Sequence, residues 1–309
     1  MQSLDIPLYK SIPIICGPTA SGKSALSMDL CRKINGELVS LDSMQIYKGL
    51  DIGTAKPSKK EQEEIPHHLI DIIEPSEEYN VSYLQKEAEL SIADILKRKK
   101  LPVLCGGTGQ YVQALSLGIE YIDIKEDPEI RNRLHKEAEE NGYEFMYKRL
   151  TQIDPRASEK IHPNNKRRVL RAIEIYELTG IPMSIHNDNS LKKGARYPFC
   201  VFYLERDREE LYSRINDRVD QMIQDGLIHE VETLRMTNKN LSKTALQAIG
   251  YKELYAYLDG EIKQEEAIEL IKQRSRNYAK RQITWFSHME NCIKITPDQF
   301  NFVLEKIQE

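Results

Sequence analysis

The chain predicts an α/β fold: a parallel sheet with helices on both faces, interrupted by an all-helical insertion. Three observations carry this expectation. Short apolar runs recur through the first third of the chain, each followed by a helical pattern, and strands alternating with helices build parallel sheets. One run, Ile12 to Cys16, leads into Gly17-Pro18-Thr19-Ala20-Ser21-Gly22-Lys23-Ser24. This octet fits the phosphate-loop pattern GxxxxGK[ST] in the strand-to-helix setting the pattern requires, so the core is expected to be P-loop NTPase-like. From about residue 123 to 195 the strand signal stops, and charged helical patterns replace it.

Taken in order, Ile12 to Cys16 reads as a buried strand and Ala25 to Ile34 as a helix. Glu37 to Leu41 gives a second strand ending at Asp42, and His68 to Ile73 a third. Ser82 to Lys99 is helical, with Asn80 or Ser82 as its N-cap. Leu101 to Cys105 is another buried strand, followed by a glycine turn and a helix from about Tyr111. The α/β core is expected to comprise 1–122 and 196–309, with 123–195 as the helical insertion. Strand character returns at Phe199 to Leu204, and helices dominate from Arg208. A long helix runs from about Glu265 to His288, and a short strand is expected at Cys292 to Ile295.

The chain has 309 residues, enough to bury a large core without covalent staples. Its formal net charge is -4, so any nucleic-acid contact must come from local basic clusters. The five cysteines include no CxxC pair, which argues against a disulfide framework or zinc site and for a reducing compartment. The first residues lack the pattern of a signal peptide, and no apolar run approaches the ~20 residues that span a bilayer. A cytoplasmic protein with no membrane contact is expected.

The octet bears directly on chemistry. Its glycines let N–H groups converge on phosphate oxygens, and the helix start adds positive potential. Lys23 supplies a cation, and the Ser24 hydroxyl is a candidate Mg²⁺ ligand. The strand Leu101 to Cys105 ends without the acid usual in a nucleotide-hydrolysing enzyme, and Asp71 is a weak substitute. Asp42, at a strand end, faces the ligand crevice. It reads as a general base or as a turn acid. Thr108, after Gly106-Gly107, can reach the bridging oxygen of a leaving diphosphate or merely stabilise its turn. Lys56 lies near the same face or is solvated. His67 and His68 lack partners at metal-ligand spacing and read as structural.

Arg214 and Arg218 share one helix face at i, i+4. Either can grip an anion, and both can serve surface ion pairs. Lys166, Arg167, Arg168 and Arg171 form one basic cluster, and Lys272, Arg274, Arg276, Lys280 and Arg281 a second. Each is a phosphate-contact candidate or a solvated helix face. Tyr278 and Trp285 interleave with the second cluster, where helical aromatics are more often core.

Several segments together resemble the tRNA dimethylallyltransferases. They are GPTASGKS at 17–24, DSMQIYKGLDIGTAKPS at 42–58, HHLID at 67–71, GGTGQY at 106–111, the stretch Lys160 to Glu174, and AKRQITWF at 279–286. Their order spans most of the chain. Gln110 and the Lys160-Ile-His-Pro163 form depart slightly from the family pattern, and with no zinc-finger extension of the eukaryotic kind in the sequence a bacterial form is expected. The resemblance implies two substrates, dimethylallyl diphosphate and a tRNA whose target adenine lies 3′ of the anticodon, together with Mg²⁺. It implies Asp42 and Thr108 as catalytic residues. Gly17, Thr19, Ala20, Ser21, Gly22, Lys23 and Ser24, with Arg214 or Arg218, would hold diphosphate. Asp42, Ser43, Met44, Gln45, Lys166, Arg167, Arg168, Val169, Leu170, Arg171 and Arg281 would meet the tRNA anticodon stem-loop. Gln45 suits an adenine edge, as amides do, and a monomer is expected. The rival readings are a nucleotide-binding kinase or NTPase, an isopentenyltransferase acting on free AMP or ADP, and a non-catalytic RNA-binding module.

Overall fold

Every residue of β1 (Ile12–Cys16) is buried, as a strand covered on both faces must be. It sits inside a six-stranded sheet with β2 (Glu37–Ser40), β3 (His67–His68), β4 (Pro102–Gly106), β5 (Phe199–Leu204) and β6 (Cys292–Ile295), in the order β3-β2-β4-β1-β5-β6. All pairings are parallel. The chain moves from β1 to β2 on one side and later to β5 and β6 on the other. The order therefore reverses between β1 and β4, where a crevice opens at the carboxyl ends of the strands. Register pairs Cys16 with Gly106 at that edge, so the loop after β1 lies beside the turn after β4.

The computed structural model describes residues 8–119, 127–191, 194–237 and 240–309. Two units result, one of Met1–Ser116 with Ala195–Glu309 and one of Leu117–Gly194. The expected boundary at 122–123 lies outside the described residues. Among the described residues no helix is long and apolar enough to cross a membrane.

Local chemistry explains the element ends. The Lys23–Ile34 helix stops at Asn35, which takes a left-handed φ of 53° after two basic residues in the last turn. The Val81–Lys97 helix uses Asn80, whose side chain accepts the Tyr83 N–H at 2.9 Å. The expected strand His68 to Ile73 is cut to two residues. Leu69 and Asp71 adopt φ of 64° and 56°, which an extended ladder cannot accommodate. Ile73 regains only an isolated parallel bridge to Tyr47.

The second unit contains the helices Pro128–Asn141, Tyr143–Ile153, Pro155–Lys160, Lys166–Thr179 and Met183–Leu191. Leu134, Met146, Leu150, Val169, Leu170 and Ile173 form its apolar centre. This corrects one expectation. Val169 and Leu170 are 1% and 6% exposed, so their side chains pack the core and are not an RNA-contacting surface. Lys166, Arg167 and Arg168 are exposed on the same helix. Arg171 turns back to Glu174 at 2.9 Å.

At the amino end of the sheet, Glu37 is nearly inaccessible and gathers three bases. Arg98 donates to both of its oxygens, Lys100 lies 3.0 Å away and His68 2.8 Å away. The Arg98 hydrogen bonds hold its carboxyl at about 2, below the ordinary range. A depressed folded value means the stabilisation is present above the unfolded value of about 4.3 and is lost as pH falls through 2. Glu37→Gln should therefore cost about 2 kcal/mol at neutral pH, after discount for the half-exposed Arg98. Urea unfolding of both proteins at successive pH values checks this. A gap that does not shrink with acid would contradict it.

Candidate active site

The loop after β1 is held from outside by its carbonyls. Arg206 Nε donates to the Ser21 carbonyl at 2.6 Å, and Arg214 Nε to the Ala20 carbonyl at 2.9 Å. In a trans peptide the N–H points opposite to the C=O, so Arg206 also fixes the direction of the Gly22 N–H. Within the loop, Ser21 N–H bonds the Pro18 carbonyl at 3.2 Å, and Thr19 N–H bonds Gln282 Oε1 at 2.9 Å. Among the described residues, the N–H groups of Ala20, Gly22, Lys23 and Ser24 meet no protein acceptor. Gly17 begins the loop, and the buried Ser21 hydroxyl has no partner. Unused donors at a helix start are what an anion requires.

Two positive side chains face this cradle. Among the described residues Lys23 Nζ hydrogen-bonds only the Pro18 carbonyl, at 3.3 Å, and burial lowers its pKa. Arg218 has no ion pair or hydrogen bond among the described residues. Burial lowers its pKa, Asp42 raises it and Arg214 lowers it further. Sequence could not choose between Arg214 and Arg218. Both line the crevice, but Arg214 Nε is engaged with the loop backbone, whereas the Arg218 guanidinium makes no hydrogen bond among the described residues.

A cavity of about 690 Å³ is lined by Thr19, Ala20, Gly22, Lys23, Ser24, Asp42, Gln45, Arg214, Arg218, Tyr278 and Gln282, among others. A smaller, more apolar one of about 240 Å³ is lined by Ser43, Met44, Ile215, Val219, Met222, Ile249, Ile271 and Arg281, with further neighbours. Thr19, Asp42, Thr54, Arg218 and Tyr278 line both.

Asp42 thus stands between the two cavities. Its Oδ1 accepts the N–H groups of Met44 at 2.8 Å and Gln45 at 3.3 Å. Asp42 is thus a turn acid through Oδ1, while Oδ2 accepts no hydrogen bond among the described residues. Thr108 follows β4, and its hydroxyl is buried without a hydrogen bond. Tyr278 lies nearby. Burial pushes its phenol up to about 12 and Asp42 adds to the rise, against Thr108, Arg281 and Gln282. Arg281 packs on the Tyr278 ring, 5.5 Å from its centre.

Other expectations need correction. The Gln45 amide is already satisfied: Oε1 accepts from Ser40 at 2.9 Å, and Nε2 donates to the Thr54 and Ala55 carbonyls at 3.2 Å. It positions the 51–57 loop instead of offering an edge to a base. Lys56 is neither solvated nor free, for its side chain is 3% exposed and its ammonium bonds Asp51, Asp71 and the Tyr47 carbonyl. Glu230 holds the same loop, accepting the N–H groups of Asp51, Ile52 and Gly53 at 3.0, 2.7 and 3.2 Å. Gly53 has no alternative, because a Cβ there would lie 2.5 Å from the Tyr251 ring. His68 serves Glu37 and His67 Nδ1 lies 2.6 Å from the Ile65 carbonyl, and no described trio of potential ligands could hold a metal alone. In the second basic cluster, Lys272, Arg274 and Arg276 are engaged by Asp220, Glu253 and Asn216. Trp285 lies against Gly109, where a Cβ would be 2.2 Å from its ring.

Sequence reasoning passed over Arg206, Tyr278 and Gln282 as site residues. Gln282 lies within the AKRQITWF segment at 279–286, and that is its sequence signal. Arg206 stands just beyond the end of β5, beside the cradle strand, and this was its signal.

Arg218→Gln should weaken binding of inorganic diphosphate by about tenfold or more, the loss of a charge-assisted bond in a desolvated site. Arg214→Gln, which removes a side chain whose Nε is already bonded to the loop, should cost less. Calorimetric titration of both variants decides, and equal losses would refute the division of labour.

A family model described as IPP transferase matches residues 45–289, and one described as isopentenyl transferase matches 10–72. The tRNA dimethylallyltransferase of Acetivibrio thermocellus is 46% identical over 291 residues, covering 94% of this chain and 93% of the relative. That of Halothermothrix orenii is 49% identical, covering 91% and 85%. The crystal structure of the Bacillus halodurans tRNA isopentenylpyrophosphate transferase superposes with a TM-score of 0.69 at 42% identity, covering 96% of this chain and 94% of that one. A eukaryotic dimethylallyltransferase acting on tRNA gives 0.79 at 33% identity, covering 93% and 74%. With an unused phosphate cradle, an acid facing it and likeness along nearly its whole length, the chain belongs to the IPP transferase family.

Proposed function

We propose that this chain is a tRNA dimethylallyltransferase. It moves a dimethylallyl group from dimethylallyl diphosphate to the exocyclic amine of the adenosine at position 37 of tRNA, giving N6-dimethylallyladenosine and diphosphate. The observation that carries the reading is the place of Asp42, between a cavity lined by the phosphate cradle and a more apolar one. Names borne by close relatives support the same activity.

The chemistry follows from the groups present. The adenine amine attacks the allylic carbon, the carbon–oxygen bond to diphosphate breaks, and the leaving group takes the electron pair. The amine lone pair is delocalised into the ring, so a base must accept its proton as the bond forms. Asp42 Oδ2 is the candidate acceptor, with Oδ1 fixed by its own turn. Charge grows on the leaving oxygen, which Lys23, Arg218 and the free loop N–H groups of the cavity would stabilise; Thr108, whose hydroxyl is buried in the turn after β4, is the further candidate. Ser24 fits a Mg²⁺ ion held chiefly by diphosphate oxygens and water, as this ion prefers, and the ion would add charge neutralisation there.

An adenine inside an anticodon loop must leave its stack to react. We assign the exposed Lys166, Arg167 and Arg168 of the helical unit to the phosphates of the anticodon stem-loop, on charge. Ser43, Met44 and Arg281 line the apolar cavity, where a flipped base or the allyl group would fit. Five free cysteines suit the cytoplasm.

Labelled dimethylallyl diphosphate offered with Mg²⁺ and either unmodified tRNA or AMP tests the reading. Label in tRNA alone supports it; label in AMP alone points to a free-nucleotide enzyme. Asp42→Asn, which keeps the acceptor for Met44, should lower transfer by about 100-fold or more and leave tRNA affinity within about threefold. Near-normal turnover would remove Asp42 as the base. Charge reversal at Arg167 and Arg168 should weaken tRNA binding and reduce its salt slope, and an unchanged slope would move the RNA surface elsewhere.

A further inference from the structure

Gln282 is 5% exposed and makes two hydrogen bonds, each to a different substrate-facing turn. Its Oε1 accepts the Thr19 N–H at 2.9 Å, within the phosphate loop after β1. Its Nε2 donates to the Gly107 carbonyl at 2.9 Å, in the turn after β4 that delivers Thr108. An N–H on one side and a carbonyl on the other fix which way the amide points. The β1–β4 ladder ends at the pair Cys16 and Gly106. Beyond that rung, among the described residues, no backbone hydrogen bond joins the two turns.

We infer that Gln282 is a positioning residue that sets the separation between the diphosphate cradle and Thr108, supplying the rung that the sheet lacks. The inference rests on the reading of those turns given above. Three details support it. The position needs one donor and one acceptor on a planar group; a carboxylate offers only acceptors, an ammonium only donors, and an aliphatic side chain neither. A Cβ at residue 107 would lie 2.2 Å from Gln282 Nε2, so glycine there is what lets the amide approach. By engaging Thr19 N–H, the amide also leaves the phosphate to the donors of Ala20, Gly22, Lys23 and Ser24. Gln282 follows Tyr278 by one helical turn and lines the cradle cavity with it. The long helix thereby ties its own register to both turns.

The experiment compares Gln282→Leu and Gln282→Glu with the unaltered chain. It measures binding of inorganic diphosphate with Mg²⁺, and transfer from dimethylallyl diphosphate to tRNA, across a range of pH. Gln282→Leu, uncharged and unable to form either bond, should lower diphosphate affinity and kcat about tenfold or more at every pH, with KM for tRNA within about threefold. Gln282→Glu keeps the acceptor for Thr19 but sets a second acceptor against the Gly107 carbonyl. Burial raises the pKa of such a carboxyl. Its kcat should be low at alkaline pH and recover, relative to wild type at the same pH, as the carboxyl gains the proton it needs to donate. A residue that only supports the fold would not create this pH limb. A Leu variant within about threefold of wild type in both assays, or a Glu variant whose profile parallels wild type, overturns the inference. Where melting shows that the Leu variant does not fold, the Glu profile decides alone. Diphosphate binding is read without tRNA. Weakened binding in the variants, beside a wild type that fails to modify tRNA, would refute the proposed acceptor and uphold Gln282.

Discussion

The parallel pairing of β1 with β4 is the constraint on which the rest of the site depends. It puts Cys16 level with Gly106, so the phosphate loop and the Thr108 turn leave the sheet side by side. Parallel strands need long crossovers, and these carry the intervening chain away and return it. Asp42 then arrives from β2, across β4 from the cradle. The Gln264–Ser287 helix closes the arrangement with Tyr278 and Gln282 facing the cavity.

The two ends of the sheet treat charge in opposite ways. At the amino end, Arg98, Lys100 and His68 converge on Glu37, and that ion cluster is complete within the protein. At the carboxyl end, Lys23 and Arg218 are desolvated without a carboxylate in hydrogen-bond reach among the described residues. Asp42 favours both cations from a distance. A buried cation lacking a close counter-ion is costly, and a bound anion removes that cost. The unused N–H groups of the cradle act in the same direction. The fold is therefore stabilised at one end and left electrostatically incomplete at the other, where a diphosphate would complete it.

The 51–57 loop shows how the same logic extends to a segment with no regular structure. Glu230 takes three successive N–H groups, Lys56 reaches two carboxylates, and Gln45 bonds two carbonyls. With most of its backbone groups paired, the loop can form cavity wall without a strand or helix. Gln45 also bonds Ser40 on β2, so one amide ties the wall to the strand that leads into the Asp42 turn.

The sequence by itself determined the α/β class, most strand positions, the phosphate loop and the candidate roles of Asp42 and Lys23. These depend on residues adjacent along the chain: apolar periodicity, glycines in a tight turn, an acid at a strand end. Tertiary structure alone decided which polar side chains were free to act. Gln45 and Lys56 looked available but are consumed by backbone and side-chain partners 5 to 15 residues away along the chain. Val169 and Leu170 sat in a basic stretch yet face a core. Arg206 and Gln282 looked ordinary and proved to hold the cradle, the latter reaching Thr19 across 263 residues of sequence. A hydrogen bond is satisfied by proximity in space, and local pattern carries no information about partners so distant along the chain.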